Sequence, residues 1–272
     1  MKWLIERDET SAGPQAEEEK WAKIHQDGYQ IWSMSADESV QEKIAAALLT
    51  IPHERVLIVG CGSVVDLQLM LIARFEEIRE IVCLDFQPVL ELAKKKGSHD
   101  KIRSLARDAR DMGFERCFDV VVNVNAILSE ADEDNRRILA SCVQALKPGG
   151  SLLGFFPTIF CQEEVLSLEK RYNRFKRVWA ARAAKPVYDQ ARLTDGHDIL
   201  DMMAAHGQLY YTPLYLRMIL RQAGLLIDRF EFFFCQSPAF REQAKTKFAV
   251  LDEDVLIYEF FIHARRDDGG IK

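Results

Sequence analysis

The sequence lacks the cysteine patterns that bind metal ions or cross-link small secreted domains. No two of its cysteines form a CxxC pair, and none joins histidines in a cluster with metal-ligand spacing. Several lie inside apolar runs, which favours their interpretation as small core residues. We therefore expect no metal site and a reducing, cytoplasmic setting. The six cysteines are Cys61, Cys83, Cys117, Cys142, Cys161 and Cys235.

Long apolar runs and an excess of positive charge are also missing. No segment approaches the ~20 consecutive apolar residues of a membrane-spanning helix. The N-terminal stretch MKWLIERDET has no apolar core long enough for a signal peptide. The 272 residues carry a formal net charge of −6, so the strongly basic surface that binds duplex nucleic acid is absent. We expect neither a membrane nor DNA as a partner.

The most informative motif that is present reads VLIVGCGSVVDL and runs from Val56 to Leu67. An apolar run meets Gly60 and Gly62 and then becomes a helical pattern, which predicts a buried parallel strand that turns tightly into a helix. A second apolar run, IVCL, ends at Asp85. A glycine turn after one strand and a carboxylate at the tip of the next predict a nucleoside site, with the acid placed for ribose hydroxyls.

The residues after these two glycines exclude two common nucleotide-binding motifs. The GxGxxG motif of dinucleotide-binding domains requires a third glycine where this chain has Val65, which argues against NAD or FAD. No GKS or GKT follows a glycine-rich turn, so the pattern is not that of a P-loop NTPase.

Apolar runs and helical patterns alternate along most of the chain. This alternation predicts an α/β fold, a seven-stranded, mostly parallel, doubly wound sheet with helices on both faces. The last two strands are joined only by a loop, with no helix between them, which predicts an antiparallel pair at the sheet edge that includes the C-terminal strand. Asp37 is expected to cap a helix that buries Ile44, Ala47 and Leu48 and ends before Pro52. The other predicted helices are 15–33, 65–75, 88–97, 132–146, 162–184, 197–206 and 212–224, and the predicted strands are 55–60, 81–85, a short one within 101–112, 118–128 with its loop, 151–157, 225–234 and 255–264.

Five motifs in this order resemble the class I S-adenosylmethionine-dependent methyltransferases. The resemblance covers residues 54–157 well and 209–264 more loosely. It implies S-adenosylmethionine as the cofactor and an in-line methyl transfer for which the protein chiefly supplies position. The motifs are VLIVGCG, the acid Asp85, ARDARDM, FDVVVNVNAIL and LKPGGSLLGF.

The resemblance also implies which residues bind the cofactor. Asp85 matches the acid at the end of the second strand, and Asp108 with Ala109 matches the pair that reads the adenine. Phe86 either lines the adenine or only packs. Asn123 and Asn125 either contact the cofactor or satisfy backbone groups at the strand end. The predicted set is Gly60, Cys61, Gly62, Asp85, Phe86, Asp108, Ala109, Asn123 and Asn125.

The chain departs from the family pattern at the end of the cofactor that carries the amino acid. An acid often stands two residues before the first glycine, where this chain has Ile58, and a third glycine often stands at Val64. The loop after the fourth strand reads Leu128-Ser129-Glu130 and has no histidine. These departures leave open how the amino acid moiety is held.

A lid that excludes water is expected over the site. We predict a helical cap at 1–53 and an inserted helical lid at 158–208, around a cofactor-binding domain made of 54–157 and 209–272. A histidine or tyrosine in these segments is a candidate base, including His25 and His197, but the sequence assigns no catalytic residue. The residues predicted to meet the substrate are Tyr29, Trp32, His206, Tyr210 and Tyr211.

The expected acceptor is a small organic molecule, because the lid segments are aromatic and no nucleic-acid domain or NPPY motif is present. Three alternatives stay open: an aminopropyltransferase-like enzyme, a non-catalytic protein that binds S-adenosylmethionine, and an RNA methyltransferase that uses the basic helix 162–184. That helix equally fits a solvated face. The sequence also allows a homodimer.

Overall fold

A single seven-stranded sheet forms the centre of the protein in a computed structural model that describes residues 14–26, 34–127, 132–158, 211–234 and 258–267. In chain order the strands are β1 (Arg55–Val59), β2 (Glu80–Asp85), β3 (Ile102–Ala106), β4 (Phe118–Val124), β5 (Leu146–Pro157), β6 (Leu225–Phe234) and β7 (Tyr258–Arg266). Their order across the sheet is β3-β2-β1-β4-β5-β7-β6. Strands β1 to β5 pair in parallel, and β7 runs antiparallel to both β5 and β6. The predicted fold class, with its antiparallel C-terminal strand, is confirmed.

Helices cover both faces of the sheet, because central strands such as β1 and β2 are apolar and buried on both of their faces. In β1, Leu57 and Val59 point into one core, while Val56 and Ile58 point into the other. The helices are α1 (Pro14–Gln26), α2 (Glu38–Leu48), α3 (Asp66–Arg74), α4 (Gln87–Lys96), α5 (Asp132–Ala145) and α6 (Pro213–Gln222), with 3-10 turns at Met34–Ala36 and Ala109–Asp111.

Helix α2 begins where the sequence predicts. The Asp37 carboxylate accepts hydrogen bonds from the backbone N–H groups of Ser39 and Val40, which satisfies donors that have no partner inside the helix. Ile44, Ala47 and Leu48 are buried, as expected for the apolar face.

Strand β5 is longer than the predicted 151–157. Helix α5 does end at Ala145, before the KPGG sequence, but the strand already begins at Leu146. The pairing of β4 with β5 shifts between Phe118 and Val120, so the extra residues form a bulge in the sheet rather than a separate turn. Gly149, at φ 69°, takes the left-handed conformation that such a bulge needs.

Two predicted segments lie largely or partly outside the described residues. The lid at 158–208, with its helices 162–184 and 197–206, is described only at Thr158. The predicted helix 15–33 corresponds to α1, and its last part also lies outside. Within the described ranges, no helix is both long enough and apolar enough to cross a membrane.

Candidate functional site

The ends of four neighbouring strands border an open cavity, whose empty space is about 1050 Å³ when the adjoining open solvent is included. The strands are β3, β2, β1 and β4, and the cavity lies at their carboxyl ends. This is the edge where open parallel sheets bind ligands. All the predicted cofactor residues except Asn123 line the cavity.

The glycine turn after β1 needs both of its glycines. Gly60 and Gly62 have φ values of 59° and 70°, a region that residues with a Cβ rarely adopt. A Cβ on Gly60 would lie 2.3 Å from the Cβ of Ala126, and one on Gly62 would lie 3.3 Å from Cε1 of His25. The turn therefore combines left-handed backbone, which glycine adopts without strain, with close packing, and a side chain at Gly60 has no room.

Asp85 joins the tip of β2 to this turn. Its Oδ2 accepts a hydrogen bond from the Gly62 N–H at 2.8 Å, and its Oδ1 accepts one from the Phe86 N–H at 2.8 Å. Burial raises the pKa of Asp85 to about 6, against the effect of these two hydrogen bonds. The carboxylate is therefore mainly ionised at neutral pH, although it is close to its titration range.

Asp108 is held by an arginine that the sequence reasoning missed. The Arg110 guanidinium donates to both Asp108 oxygens at 2.7–3.0 Å and reaches Asp134 of α5 at 3.0 Å. Burial alone would raise the pKa of Asp108, but the hydrogen bonds and charge of Arg110 hold it below its usual value. Arg110 lies within the ARDARDM motif, yet only the folded chain brings it to Asp134.

Asn123 lies behind the cavity wall. Its Nδ2 donates to the Phe155 carbonyl at 3.1 Å, and its Oδ1 accepts from the Ala126 N–H at 3.0 Å. Of the two roles that the sequence left open for Asn123, these contacts correspond to the satisfaction of backbone groups at the strand end.

Tyr211 is not at the cavity either. It is fully buried in the core on the α5 and α6 face, and its hydroxyl donates to the Ile127 carbonyl at 2.8 Å. Its apolar ring is better accommodated there, against Phe156, than in a lid. The other residues predicted to meet the substrate, Tyr29, Trp32, His206 and Tyr210, lie outside the described residues.

Helix α1 covers the glycine turn. Trp21 and His25 line the cavity, and His25 Nδ1 lies 3.1 Å from the Ser63 hydroxyl oxygen, just past the second glycine. Burial, and secondarily the charge of Lys96, lower the pKa of His25 to about 4. The imidazole is therefore neutral at pH 7 and a weak base. His197, the other histidine considered only as a base, lies outside the described residues.

Asn125 contributes a polar wall beside the glycine turn. Its φ is 52°, its Nδ2 lies 2.7 Å from the Met34 sulfur, and it donates to Oε1 of Glu259 at 3.1 Å. Burial raises the pKa of Glu259 to about 8. The sequence reasoning missed Glu259, because its strand carries no motif and pairs into the sheet from far along the chain.

Cys61 lines the cavity as a thiol. A hydrogen bond with Cys83 and burial both raise the pKa of Cys61 well above its usual value, so it is not an activated nucleophile. Within the described ranges, no three side chains of the metal-binding types come together.

One known family model matches the central part of the chain. Residues 57–154 match the family model described as a methyltransferase domain. This match covers the glycine turn, Asp85 and Asp108. The predicted resemblance to class I S-adenosylmethionine-dependent methyltransferases is confirmed, as are the enzyme class and the cofactor. No curated protein gives a significant sequence match.

Solved structures share the fold at low identity. A putative methyltransferase of Haloferax volcanii, solved in complex with the Trm112 methyltransferase activator, has a TM-score of 0.55 at 17% identity, over 92% of this chain and 98% of its own. An S-adenosylmethionine-dependent methyltransferase from Methanosarcina mazei gives 0.56 at 16%, over 81% and 97%. The 1,6-didemethyltoxoflavin-N1-methyltransferase of Burkholderia thailandensis, with bound S-adenosylhomocysteine, gives 0.56 at 16%, over 92% and 87%.

Proposed function

We propose that this S-adenosylmethionine-dependent methyltransferase transfers the methyl group to a small organic molecule held between the cavity and helix α1. The cofactor and the reaction class are those of the family, and the size of the acceptor is the part that we propose. Two features support it: the cavity at the strand tips, and the position of α1 over the glycine turn.

The proposed order of the cofactor's parts follows the order of the strands. We propose that the adenine lies at the tip of β3, beside Asp108 and Ala109, and that the ribose lies at Asp85 on β2. The sulfonium and the amino acid then lie over the glycine turn and Asn125, at the tips of β1 and β4. A buried carboxylate at the ribose and a turn that a Cβ would fill fit a nucleoside that approaches the backbone closely.

The observation that favours a small acceptor is the position of α1. Trp21 and His25 reach over the glycine turn, and His25 contacts Ser63 there. A covered donor end admits a molecule that enters the cavity, whereas a folded macromolecule needs an open surface. The similar protein from Burkholderia thailandensis is itself named for the methylation of a small molecule.

Catalysis in this arrangement depends mainly on positioning. When bound, the cofactor supplies a methyl group that its sulfonium already activates. The glycine turn and Asp85 fix the donor, and α1 excludes water from it. Holding acceptor and methyl group in line contributes roughly 7–11 kcal/mol to the lowering of the barrier. Because His25 is a weak base, the best-suited acceptor is one that needs no strong base, such as an amine or a thiolate.

Calorimetry and product analysis test the proposal together. We expect S-adenosylhomocysteine to bind the wild type, and Asp85→Ala to weaken binding at least about tenfold, because a hydrogen bond to a charged group contributes about 1.5–3 kcal/mol. Asp100→Ala, which removes an exposed carboxylate beyond α4, is the matched control. Unchanged affinity in Asp85→Ala would refute the assigned ribose site.

Mass spectrometry after incubation with a panel of small amines, thiols and phenols tests the acceptor. A mass gain of one CH2 supports methylation of a small molecule, and a gain of an aminopropyl group supports the aminopropyltransferase alternative. Binding without turnover across the panel favours a non-catalytic role. Salt-sensitive binding of tRNA, with methylation of that RNA alone, would overturn the proposal in favour of an RNA acceptor.

A further inference from the structure

A buried carboxyl lies directly behind the cavity wall. Glu259 stands on β7 opposite Pro157 of β5 and Phe233 of β6, and only 4% of it is exposed. Its Oε1 accepts the hydrogen bond from Asn125, while its Oε2 has no hydrogen-bond partner among the residues that the structure describes. Such a group is costly to bury in the charged form.

The Asn125 amide that donates to Glu259 has an oxygen atom without a described partner as well. Oδ1 of Asn125 is buried and also lacks a donor within the described part of the chain. An ionised carboxylate is only an acceptor and cannot help it, but a protonated carboxyl has one O–H to give. If Oε2 of Glu259 carries a proton, it can donate a hydrogen bond to Oδ1 of Asn125. This one hydrogen bond gives both oxygens a partner, in a paired acid–amide arrangement.

We propose that Glu259 is a positioning residue which, as a neutral carboxylic acid, holds the Asn125 amide through both of its oxygens and thereby fixes the cavity wall beside the glycine turn. This inference rests on the proposed placement of the cofactor's donor end.

Close packing carries the effect from Glu259 to the cofactor. Asn125 has a φ of 52°, a conformation that its neighbours must hold in place. The next residue, Ala126, packs against Gly60 so tightly that a Cβ there would lie 2.3 Å away. A shift of Asn125 therefore moves Ala126 and with it the turn that holds the cofactor.

Ionisation of Glu259 removes one of its two proposed hydrogen bonds to the Asn125 amide. Burial raises the pKa of Glu259 to about 8, and the hydrogen bond from Asn125 opposes the rise. On the same face, Lys43 of α2 and Glu231 of β6 form an ion pair with each other at 2.6 Å. The facing residues of β5 and the 3-10 turn, Pro157 and Met34, carry no charge. Above pH 8 the ionised Glu259 carboxylate keeps only the hydrogen bond from Nδ2 of Asn125, and the paired arrangement of Glu259 and Asn125 is lost.

The test is the pH dependence of S-adenosylhomocysteine affinity, measured by calorimetry from pH 6.5 to pH 9.5. In the wild type we expect affinity to fall about tenfold more between pH 7 and pH 9 than in Glu259→Gln, because one proton with a pKa near 8 is linked to binding. The amide of Glu259→Gln is permanently neutral and keeps both hydrogen bonds, so its affinity at pH 7 should match the wild type. Titration of the ligand's own amine is common to both proteins and cancels in the comparison.

Two controls keep the result decisive. Glu231→Gln, on the neighbouring strand, should retain the wild-type pH dependence. Carbon-13 NMR of the glutamate carboxyls, with Glu259→Gln for assignment, should show one group that titrates near pH 8 without any ligand. Equal pH profiles in the wild type and Glu259→Gln, or a large loss of affinity in Glu259→Gln at pH 7, would overturn the proposal. Failure of the wild type to bind the ligand at any pH would instead refute the proposed cofactor site.

Discussion

Replacement of Gly60 by alanine should be far more damaging than the same change at Gly149. Both glycines have left-handed backbone, with φ values of 59° and 69°. A Cβ on Gly149 would meet no atom of the described residues within 4 Å, whereas one on Gly60 would lie 2.3 Å from the Cβ of Ala126. The two variants therefore share the conformational cost, and only Gly60→Ala adds a steric clash.

The magnitudes reflect these two causes. Left-handed backbone costs a residue with a Cβ about 1–2 kcal/mol. Overpacking a tight contact costs about 1–3 kcal/mol more. We expect the free energy of unfolding to fall by about 1–2 kcal/mol in Gly149→Ala and by about 2–5 kcal/mol in Gly60→Ala. The larger loss is a substantial part of the ~5–15 kcal/mol of a typical domain.

Urea unfolding at equilibrium measures both losses, and calorimetry with S-adenosylhomocysteine adds a functional reading. Gly60→Ala should weaken binding because the displaced Ala126 and glycine turn both lie at the cavity, while Gly149→Ala should leave affinity unchanged. If Gly60→Ala unfolds no more readily than Gly149→Ala and binds the ligand normally, the contact between the two loops is not tight and the reasoning fails.

Three further predictions concern side chains at or near the cavity. The pKa of Asp85 rises from 3.8 to about 6 on folding, so this group makes the protein less stable as pH rises through that window. Because ribose hydroxyls favour the ionised carboxylate, the affinity for S-adenosylhomocysteine, measured by calorimetry, should rise about tenfold from pH 5 to pH 7. Asp85→Asn should lack this rise. Arg110→Ala leaves two carboxylates facing each other and should lower the thermal midpoint clearly more than Arg265→Ala, which breaks an exposed pair; equal shifts would contradict the account. Tyr211→Phe removes the hydroxyl that donates to the Ile127 carbonyl, so the free energy of unfolding measured in urea should fall by about 1–3 kcal/mol, with ligand affinity unchanged. A loss of affinity would indicate that Tyr211 does contribute to the binding site.

Local signals in the sequence were sufficient for most of the elements. Asp37 caps α2 through backbone groups two and three residues away, so its role depends on neighbours in the chain. The turn at Gly60 and Gly62 likewise comes directly after a strand within the same motif. The start of β5 was not predictable in this way, because Pro148 and Gly149 also fit a plain turn. Only pairing with β4 makes the segment a bulge.

The residues that sequence reasoning missed act across long separations. Arg110 gains its role from Asp134 on α5, and Glu259 gains its role from Asn125, which lies at the end of a strand two places away in the sheet. The spacing of apolar residues predicts which helix or strand a residue belongs to, but it does not predict which distant side chain the residue will contact. Tyr211 illustrates the converse, since an aromatic residue beside a predicted lid fits a substrate contact and a core contact equally well until the fold places it.

Left-handed backbone at the cavity connects these long-range contacts to binding. Gly60, Gly62 and Asn125 all have positive φ, and all three line the proposed donor end of the cofactor. The two glycines adopt this conformation without cost from a Cβ, but Asn125 requires support from outside its own loop. That support comes from Glu259 on β7, a strand that lies beyond the region matched by the methyltransferase family. Because β7 holds its place by pairing with β5 and β6, damage to that pairing should weaken cofactor binding even though no binding motif is altered.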